Sequence, residues 1–515
     1  MQQVGFRAEL GAAGASALLL ILSFPDFDFS FLAWIALVPL IVVVVRRPSP
    51  ARAFLVGWAV GSVFFYISCH WLTYSMIHYG GVPTLLAYFL LIPGALVIGT
   101  FPGLFTLFLA LVIKKWGHTA VLLAPVFWTA LEWARLGITG QLWNAIGYSQ
   151  AYHPMLIQPA KWGGVYAVSF LILAINSAVA WLIIQRSRWT VVTSAAVVVL
   201  VLLVSWVSAR SAILAQASQT PAVNVIALQP NVPMKLVKSV EEMKELLERH
   251  WSMSTDALKH LPDDNSPRLV IWPESPMNFT YARDSGFQEQ LATFAKANRT
   301  SLLLNSLEPA AANGFYNSAL LINEEGRMIS QYDKIRLMPF GEYVPLPQWL
   351  PGASLITGIV GDFTPGDKYT LMPFGESRAG VFICIESAYP WIPRTLTTEG
   401  ADVLINISND GYLGPTAVMR QHLANAIFRA VENGRTVVRV TNSGLTALIH
   451  PTGEFQDVTS PFAIDVRVWK VGEGSTAGTF YTKHGDLFVH LCAAITAVVL
   501  LALLFSRIRS FRELR

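Results

Sequence analysis

The stretch Gly380-Val381-Phe382-Ile383-Cys384-Ile385-Glu386 decides the reading: an apolar run that ends in a cysteine, with a carboxylate two residues on. Valine, phenylalanine and isoleucine favour the extended backbone, so the pattern predicts a buried strand, Ala379–Ile385, carrying Cys384 near its end. The chain has 3 cysteines. Cys69 and Cys492 fall inside long apolar segments and are not placed to bridge Cys384. An unpaired cysteine outside such segments is either a small hydrophobe of the core or a nucleophile.

Outward from this strand the chain changes character. Of its 515 residues 53% are hydrophobic and 14% charged, too apolar for a wholly soluble protein and, in its second half, too charged for a pure transporter. Near-continuous apolar segments at 8–24, 30–46, 53–76, 84–113, 118–136, 164–185, 189–208 and 486–506 predict eight membrane spans. Pro93 and Pro102 interrupt the fourth, but charge placement favours one crossing. The first reads as an uncleaved span, with no clear small-residue cleavage site ahead of Phe24-Pro25. With Arg7 on the cytoplasmic side, eight crossings put Arg46, Arg47, Arg52, Lys114, Lys115, Arg186, Arg188, Arg507, Arg509, Arg512 and Arg515 all inside. The loop 137–163 and residues 209–485 then lie outside, in the periplasm of a Gram-negative cell, with both termini cytoplasmic. The expected division is a transmembrane domain 1–208, an external domain 209–485, and a last span with its tail, 486–515.

Net charge is only +4. Topology already explains the basic clusters, so no nucleic-acid partner is implied. With no His-Glu-x-x-His, glycine-rich phosphate loop or Cys-x-x-Cys, neither metal nor cofactor is expected. Within the spans, Glu132 and Arg135 are three apart on one helix face, suited to pairing with each other or to gripping a lipid headgroup. Gly57 and Gly61 read as a close helix-packing pair.

In the external segment, strands are expected at Val223–Leu228, Leu269–Trp272, Ser301–Asn305, Tyr316–Ile322, Arg327–Tyr332, Ala379–Ile385, Val403–Ser408, Thr436–Thr441 and Thr446–His450. Helical spacing occupies Val240–His260, Gly286–Asn298, Tyr389–Thr398 and Thr416–Asn433. Asn323-Glu324-Glu325-Gly326 and Pro451-Thr452-Gly453 are hairpin turn signals. Such alternation predicts a layered α/β domain, with sheets covered by helices.

Two more stretches complete the chemistry. Ile271-Trp272-Pro273-Glu274-Ser275 ends a strand at a carboxylate, and Tyr332-Asp333-Lys334 leads through Met338-Pro339-Phe340-Gly341 to Glu342. A carboxylate can take a thiol's proton, while an ammonium lowers the thiol pKa and steadies an oxyanion. Taken singly, each residue is as compatible with a solvated, capping or core position.

Together, Trp-Pro-Glu, Tyr-x-Lys-x-x-x-x-Pro-Phe-Gly-Glu and a strand ending in Ile-Cys-x-Glu resemble the Glu-Lys-Cys triad of the nitrilase superfamily. With the predicted spans, the chain resembles the membrane-embedded apolipoprotein N-acyltransferases over essentially its whole length. Ile146-Gly147-Tyr148-Ser149-Gln150 and Ile407-Ser408-Asn409-Asp410 also match. Two departures are Ile385, where the family usually has an aromatic, and Asn409-Asp410-Gly411-Tyr412-Leu413-Gly414, where it often has Asn-Asp-Ala-Trp-Phe-Gly.

The resemblance implies an αββα sandwich, with Glu274 as general base, Lys334 beside the oxyanion, Cys384 as nucleophile, and Glu342 and Glu386 as supporting carboxylates. It implies an inner-membrane enzyme that moves an acyl chain from a phospholipid, phosphatidylethanolamine being the expected donor, through a Cys384 thioester. The acceptor is the N-terminal amine of a diacylated apolipoprotein, and a monomer is expected. Residues 343–365 are apolar and Pro/Gly-punctuated, suiting Trp349, Leu350 and Ile356 to lipid contact; Tyr412 is a further substrate-contact candidate. A membrane-anchored nitrilase or amidase would keep the triad and use water as acceptor. A transporter would need charged residues along the spans, and a binding module would need no triad.

Overall fold

The computed structural model describes residues 6–140, 142–215, 223–235, 238–262, 266–310, 314–339, 341–343, 362–472 and 478–513. The chain forms two compact units, one of residues 1–212 with 483–515 and one of 213–482.

In the helical unit, six helices among the described residues are long and apolar enough to cross a membrane: Pro50–Ser68, Thr84–Trp116, His118–Thr139, Ala160–Ile184, Arg188–Ser208 and Leu487–Ser506. The first two expected spans are shorter. Phe6–Leu22 has 17 residues, and the segment 30–46 opens as a 3₁₀ turn, Ser30–Trp34, before the 9-residue helix Val38–Arg46. Nine helical residues rise about 14 Å, half the thickness of a hydrocarbon core.

Thr84–Trp116 is one helix of 33 residues despite Pro93 and Pro102. It packs closely on Pro50–Ser68, where a Cβ at Gly61 would come within 2.6 Å of the Pro102 ring and Thr106 Oγ1 donates to the Ala53 carbonyl at 2.7 Å. The buried Glu132 accepts from the Ile146 N–H at 2.8 Å and Trp128 Nε1 at 2.9 Å, and Arg135 donates to the Trp143 carbonyl at 2.7 Å. Both groups therefore brace the Trp143–Ile146 backbone.

Among the described residues, the second unit is a sandwich of two six-stranded sheets. Its strands are β1 (Val223–Gln229), β2 (Arg268–Ile271), β3 (Ser301–Pro309), β4 (Phe315–Ile322), β5 (Met328–Asp333), β6 (Leu371–Phe374), β7 (Ser377–Ile383), β8 (Val403–Ser408), β9 (Thr436–Thr441), β10 (Ala447–Ile449), β11 (Phe455–Gln456) and β12 (Asp465–Val471). One sheet runs β12-β1-β2-β3-β4-β5 and the other β11-β10-β9-β8-β7-β6. Within them β1, β2 and β3 are parallel, as are β7, β8 and β9.

Alternating side chains sort into layers. Val225, Ala227, Ile271, Val381, Ile383, Ile405, Ile407 and Val440 form the core between the sheets. Ile226, Leu228, Val270, Leu302 and Leu304 face the other way, onto Leu258 of helix Val240–Lys259 and Phe287 and Leu291 of helix Ser285–Asn298. Helices Trp391–Thr398 and Val418–Asn433 contact the second sheet, and at Gly380 a Cβ would meet Leu396 at 2.8 Å. The layers are helix, sheet, sheet, helix, as expected.

Strand β7 stops one residue before Cys384, short of the expected end at Ile385. Cys384 opens a 3₁₀ turn, Cys384–Ala388, with φ +52°, the left-handed region that costs a non-glycine residue about 1–2 kcal/mol. The cause is Glu386, whose Oε2 reaches back to accept the Ile383 N–H at 2.7 Å and turns the chain.

Candidate active site

The carboxyl ends of the parallel strands bring the site together, the position where open α/β sheets place their ligands. Glu274 follows β2, Cys384 follows β7 and Asn409 follows β8, while the hairpin β4–β5 supplies Asn317 and, one residue past its end, Lys334.

Lys334 is buried, 1% exposed, with its Nζ 2.9 Å from Glu342 Oε1 and 3.3 Å from Glu274 Oε1. Burial opposes its charge, but Glu274 and Glu342 outweigh that and hold the ammonium pKa well above its ordinary value. Asn317, not singled out from the sequence, donates Nδ2–H bonds to Glu274 at 2.9 Å and Glu342 at 2.7 Å. The Met338 N–H donates to Glu342 Oε2 at 2.7 Å and the Asn409 N–H to Glu274 Oε2 at 3.0 Å. Glu274 thus keeps an accepting oxygen on a fixed carboxylate, which a general base requires.

Cys384 is partly exposed and packs against the core between the sheets. Burial and the Glu274 charge push its thiol pKa up, with Lys334 pulling the other way. Beneath it Glu386 is fully buried and accepts from Ile383 N–H, Ile335 N–H at 2.7 Å, Arg336 N–H at 3.1 Å and Tyr332 OH at 2.9 Å. Burial lifts its pKa to about 7 against these donors. Glu386 therefore ties the Lys334 loop to the Cys384 turn.

Five of the sequence candidates, Glu274, Lys334, Glu342, Cys384 and Glu386, converge here. Tyr412 lies half-buried in the 3₁₀ turn Asp410–Leu413. Trp349, Leu350 and Ile356 lie outside the described residues. Sequence reasoning missed Asn317, Tyr332 as a partner of Glu386, and a buried group on the helix-covered side of β8–β9. There Asp410 Oδ1 is 2.7 Å from His422 Nδ1, Asp410 Oδ2 is 2.7 Å from Arg439, and His422 Nε2 is 3.0 Å from the Cys384 carbonyl oxygen. The quoted Asn409-Asp410 was its one signal. Among the described residues, no group of three or more His, Cys, Asp or Glu side chains is arranged to hold a metal.

A carboxylate, an ammonium and a thiol at the strand ends of an αββα sandwich define a carbon-nitrogen-hydrolase type of unit. Residues 212–471 match the family description "Carbon-nitrogen hydrolase", and residues 16–178 match "Apolipoprotein N-acyltransferase N-terminal domain". The apolipoprotein N-acyltransferase of Geobacter metallireducens is 31% identical over 97% of this chain and 96% of its own. That of Chlorobaculum tepidum is 29% identical over 94% and 95%. Among solved structures, a Saccharomyces cerevisiae protein of branch 10 of the nitrilase superfamily matches at 20% identity and TM-score 0.38, covering 49% of this chain and 91% of that one. The chain belongs to the apolipoprotein N-acyltransferase family; it is a membrane protein and an acyltransferase.

Proposed function

We propose that Cys384 is the nucleophile, Glu274 the general base and Lys334 the cation beside the oxyanion, in transfer of an acyl chain from a membrane phospholipid to the N-terminal amine of a diacylated apolipoprotein. The observation that carries the reading is the Glu274–Lys334–Glu342 cluster next to a thiol on a strained turn. Cys384 Sγ bonds to an ester carbonyl carbon, with the sn-1 ester of phosphatidylethanolamine as donor, and its proton passes to Glu274. Collapse breaks the ester C–O bond, and the departing lysophospholipid oxygen takes that proton, leaving a thioester. The apolipoprotein α-amine then attacks the thioester carbonyl, giving up a proton to Glu274. The C–S bond breaks to leave an amide, and the sulfur regains a proton as the thiol. Lys334 faces the oxyanion in both halves; Glu342 holds Lys334, and Glu386 holds the turn.

The topology we propose has eight spans: the six longer helices, Phe6–Leu22, and the segment 30–46, where the 3₁₀ turn Ser30–Trp34 adds its rise to that of the short helix Val38–Arg46. Its domains are 1–208, 209–485 and 486–515, with the middle one in the periplasm of a bacterial inner membrane, both termini cytoplasmic and the protein a monomer. The positive-inside count supports it. The reaction is tested by incubating the full chain with phosphatidylethanolamine vesicles and a diacylglyceryl-cysteine peptide. An amide-linked acyl chain on the peptide is expected; fatty acid released with the peptide unchanged would favour the hydrolase instead.

A further inference from the structure

We propose that His422 is a positioning residue for Cys384, its Nε2–H pinning the Cys384 carbonyl while Asp410 and Arg439 fix the ring. This rests on the reading of Cys384 as the nucleophile. A cysteine at φ +52° holds that conformation only where its surroundings determine it. Here the backbone is gripped from both sides: Glu386 takes the N–H of Ile383, just ahead of Cys384, and His422 takes the Cys384 carbonyl at 3.0 Å.

The ring has little freedom. Nδ1 faces the Asp410 carboxylate at 2.7 Å and Nε2 faces a carbonyl oxygen, both acceptors, so each nitrogen is called on to donate. Asp410 is fixed in turn by Arg439 at 2.7 Å and by the Ser408 hydroxyl at 3.0 Å. Burial would raise the Asp410 pKa, but Arg439 and His422 outweigh it and hold the carboxyl well below its usual range. Arg439 also donates to Asn406, whose amide donates to the Phe382 carbonyl on β7 at 3.1 Å. The chain of bonds therefore runs from the Cys384 carbonyl, just past β7, back to Phe382 on β7 itself.

Asp410, His422 and Arg439 are 2%, 3% and 0% exposed. Burying three ionisable groups is unfavourable compared with apolar packing, so their location invites a local purpose. They reach the candidate nucleophile through the His422 bond to its carbonyl.

Two substitutions separate this role from a merely structural ion pair. Gln places its amide nitrogen where Nε2 lies, keeping the Cys384 bond and losing the one to Asp410. Asn places it where Nδ1 lies, with the opposite result. The readout is the single-turnover rate of acyl-enzyme formation on phosphatidylethanolamine vesicles, followed by intact mass, with the donor concentration dependence and the thermal transition measured alongside. His422→Gln is expected within about threefold of wild type. His422→Asn is expected about 100-fold slower at unchanged half-saturation, the scale of a roughly 1 Å misplacement of a reacting group.

A normal rate in H422N with a slow H422Q would overturn the proposal, as would normal rates in both. If H422N does not fold, ¹⁵N-histidine NMR of the wild type decides: Nε2 protonated at neutral pH supports the pin, and Nε2 unprotonated refutes it. Wild type run in parallel keeps the two readings apart. No adduct on wild type removes the thioester mechanism, whereas a normal adduct with the wrong order of variants removes only the role of His422.

Discussion

Two charged clusters border Cys384, and they are built differently. Around Lys334 the carboxylates keep some contact with solvent, the side chains of Glu274 and Glu342 being 14% and 10% exposed, and two carboxylates share one ammonium. Around Asp410 the groups are sealed, and one carboxylate is shared by Arg439 and His422. An accessible carboxylate in an acid-rich cluster can take up a proton during a reaction. A sealed carboxylate between two basic groups cannot do so without leaving buried charge uncompensated. The first cluster suits proton transfer and the second suits holding backbone.

The sharpest test of this contrast removes one carboxylate charge from each. Glu274→Gln is expected to slow acyl transfer by about 10²–10⁴-fold, the usual worth of a general base, with the thermal transition little changed. Asp410→Asn should instead destabilise the fold by about 3–5 kcal/mol, the scale for breaking a buried pair, as read by denaturant unfolding of the α/β unit in the full chain. Equal effects of both changes on stability would erase the distinction.

Acid should act on the sealed cluster next. The Asp410 pKa is depressed in the folded chain. Its contribution to stability is therefore fully present above the unfolded value of about 4 and lost as pH falls toward the folded one. Wild type should lose stability below about pH 4, and Asp410→Asn should lose less over the same range. Parallel losses would contradict the assignment.

A smaller effect concerns the thiol. Because burial and Glu274 raise its pKa, alkylation of Cys384 by iodoacetamide should keep rising with pH through about 9, measured by peptide mass. A plateau below about pH 8 would show a thiolate already formed at rest.

Much of this arrangement was legible in the sequence, because strands and charged helices leave local signals. The strands β7, β8 and β9 and the helix Val240–Lys259 follow from apolar runs, helical spacing and charged faces. The end of β7 was misplaced because Ile385 continues the apolar run, and nothing local reveals that Glu386 folds back onto the Ile383 N–H. Strand β12 is absent from the expected strands because Asp465, Arg467 and Lys470 interrupt its apolar residues, and its partner β1 lies far away in the chain. Asn317 and His422 were illegible for the same reason. An asparagine on a strand or a histidine on a helix becomes informative only once the fold brings Glu274 or Cys384 to it.

The smallest expected effect concerns Leu350 and Ile356. Changing Leu350 and Ile356 together to serine should slow transfer from vesicle phospholipid about tenfold, at the scale of two lost apolar contacts, without altering the thermal transition. An unchanged rate would remove that stretch from lipid recognition.

The most direct test of the central claim is the intact mass of the full chain after incubation with phosphatidylethanolamine vesicles and no acceptor, for wild type and Cys384→Ala. The account expects one acyl chain added to wild type, released by hydroxylamine and absent from Cys384→Ala. No adduct on wild type that still N-acylates a diacylated peptide, or an adduct that persists in Cys384→Ala, would contradict it.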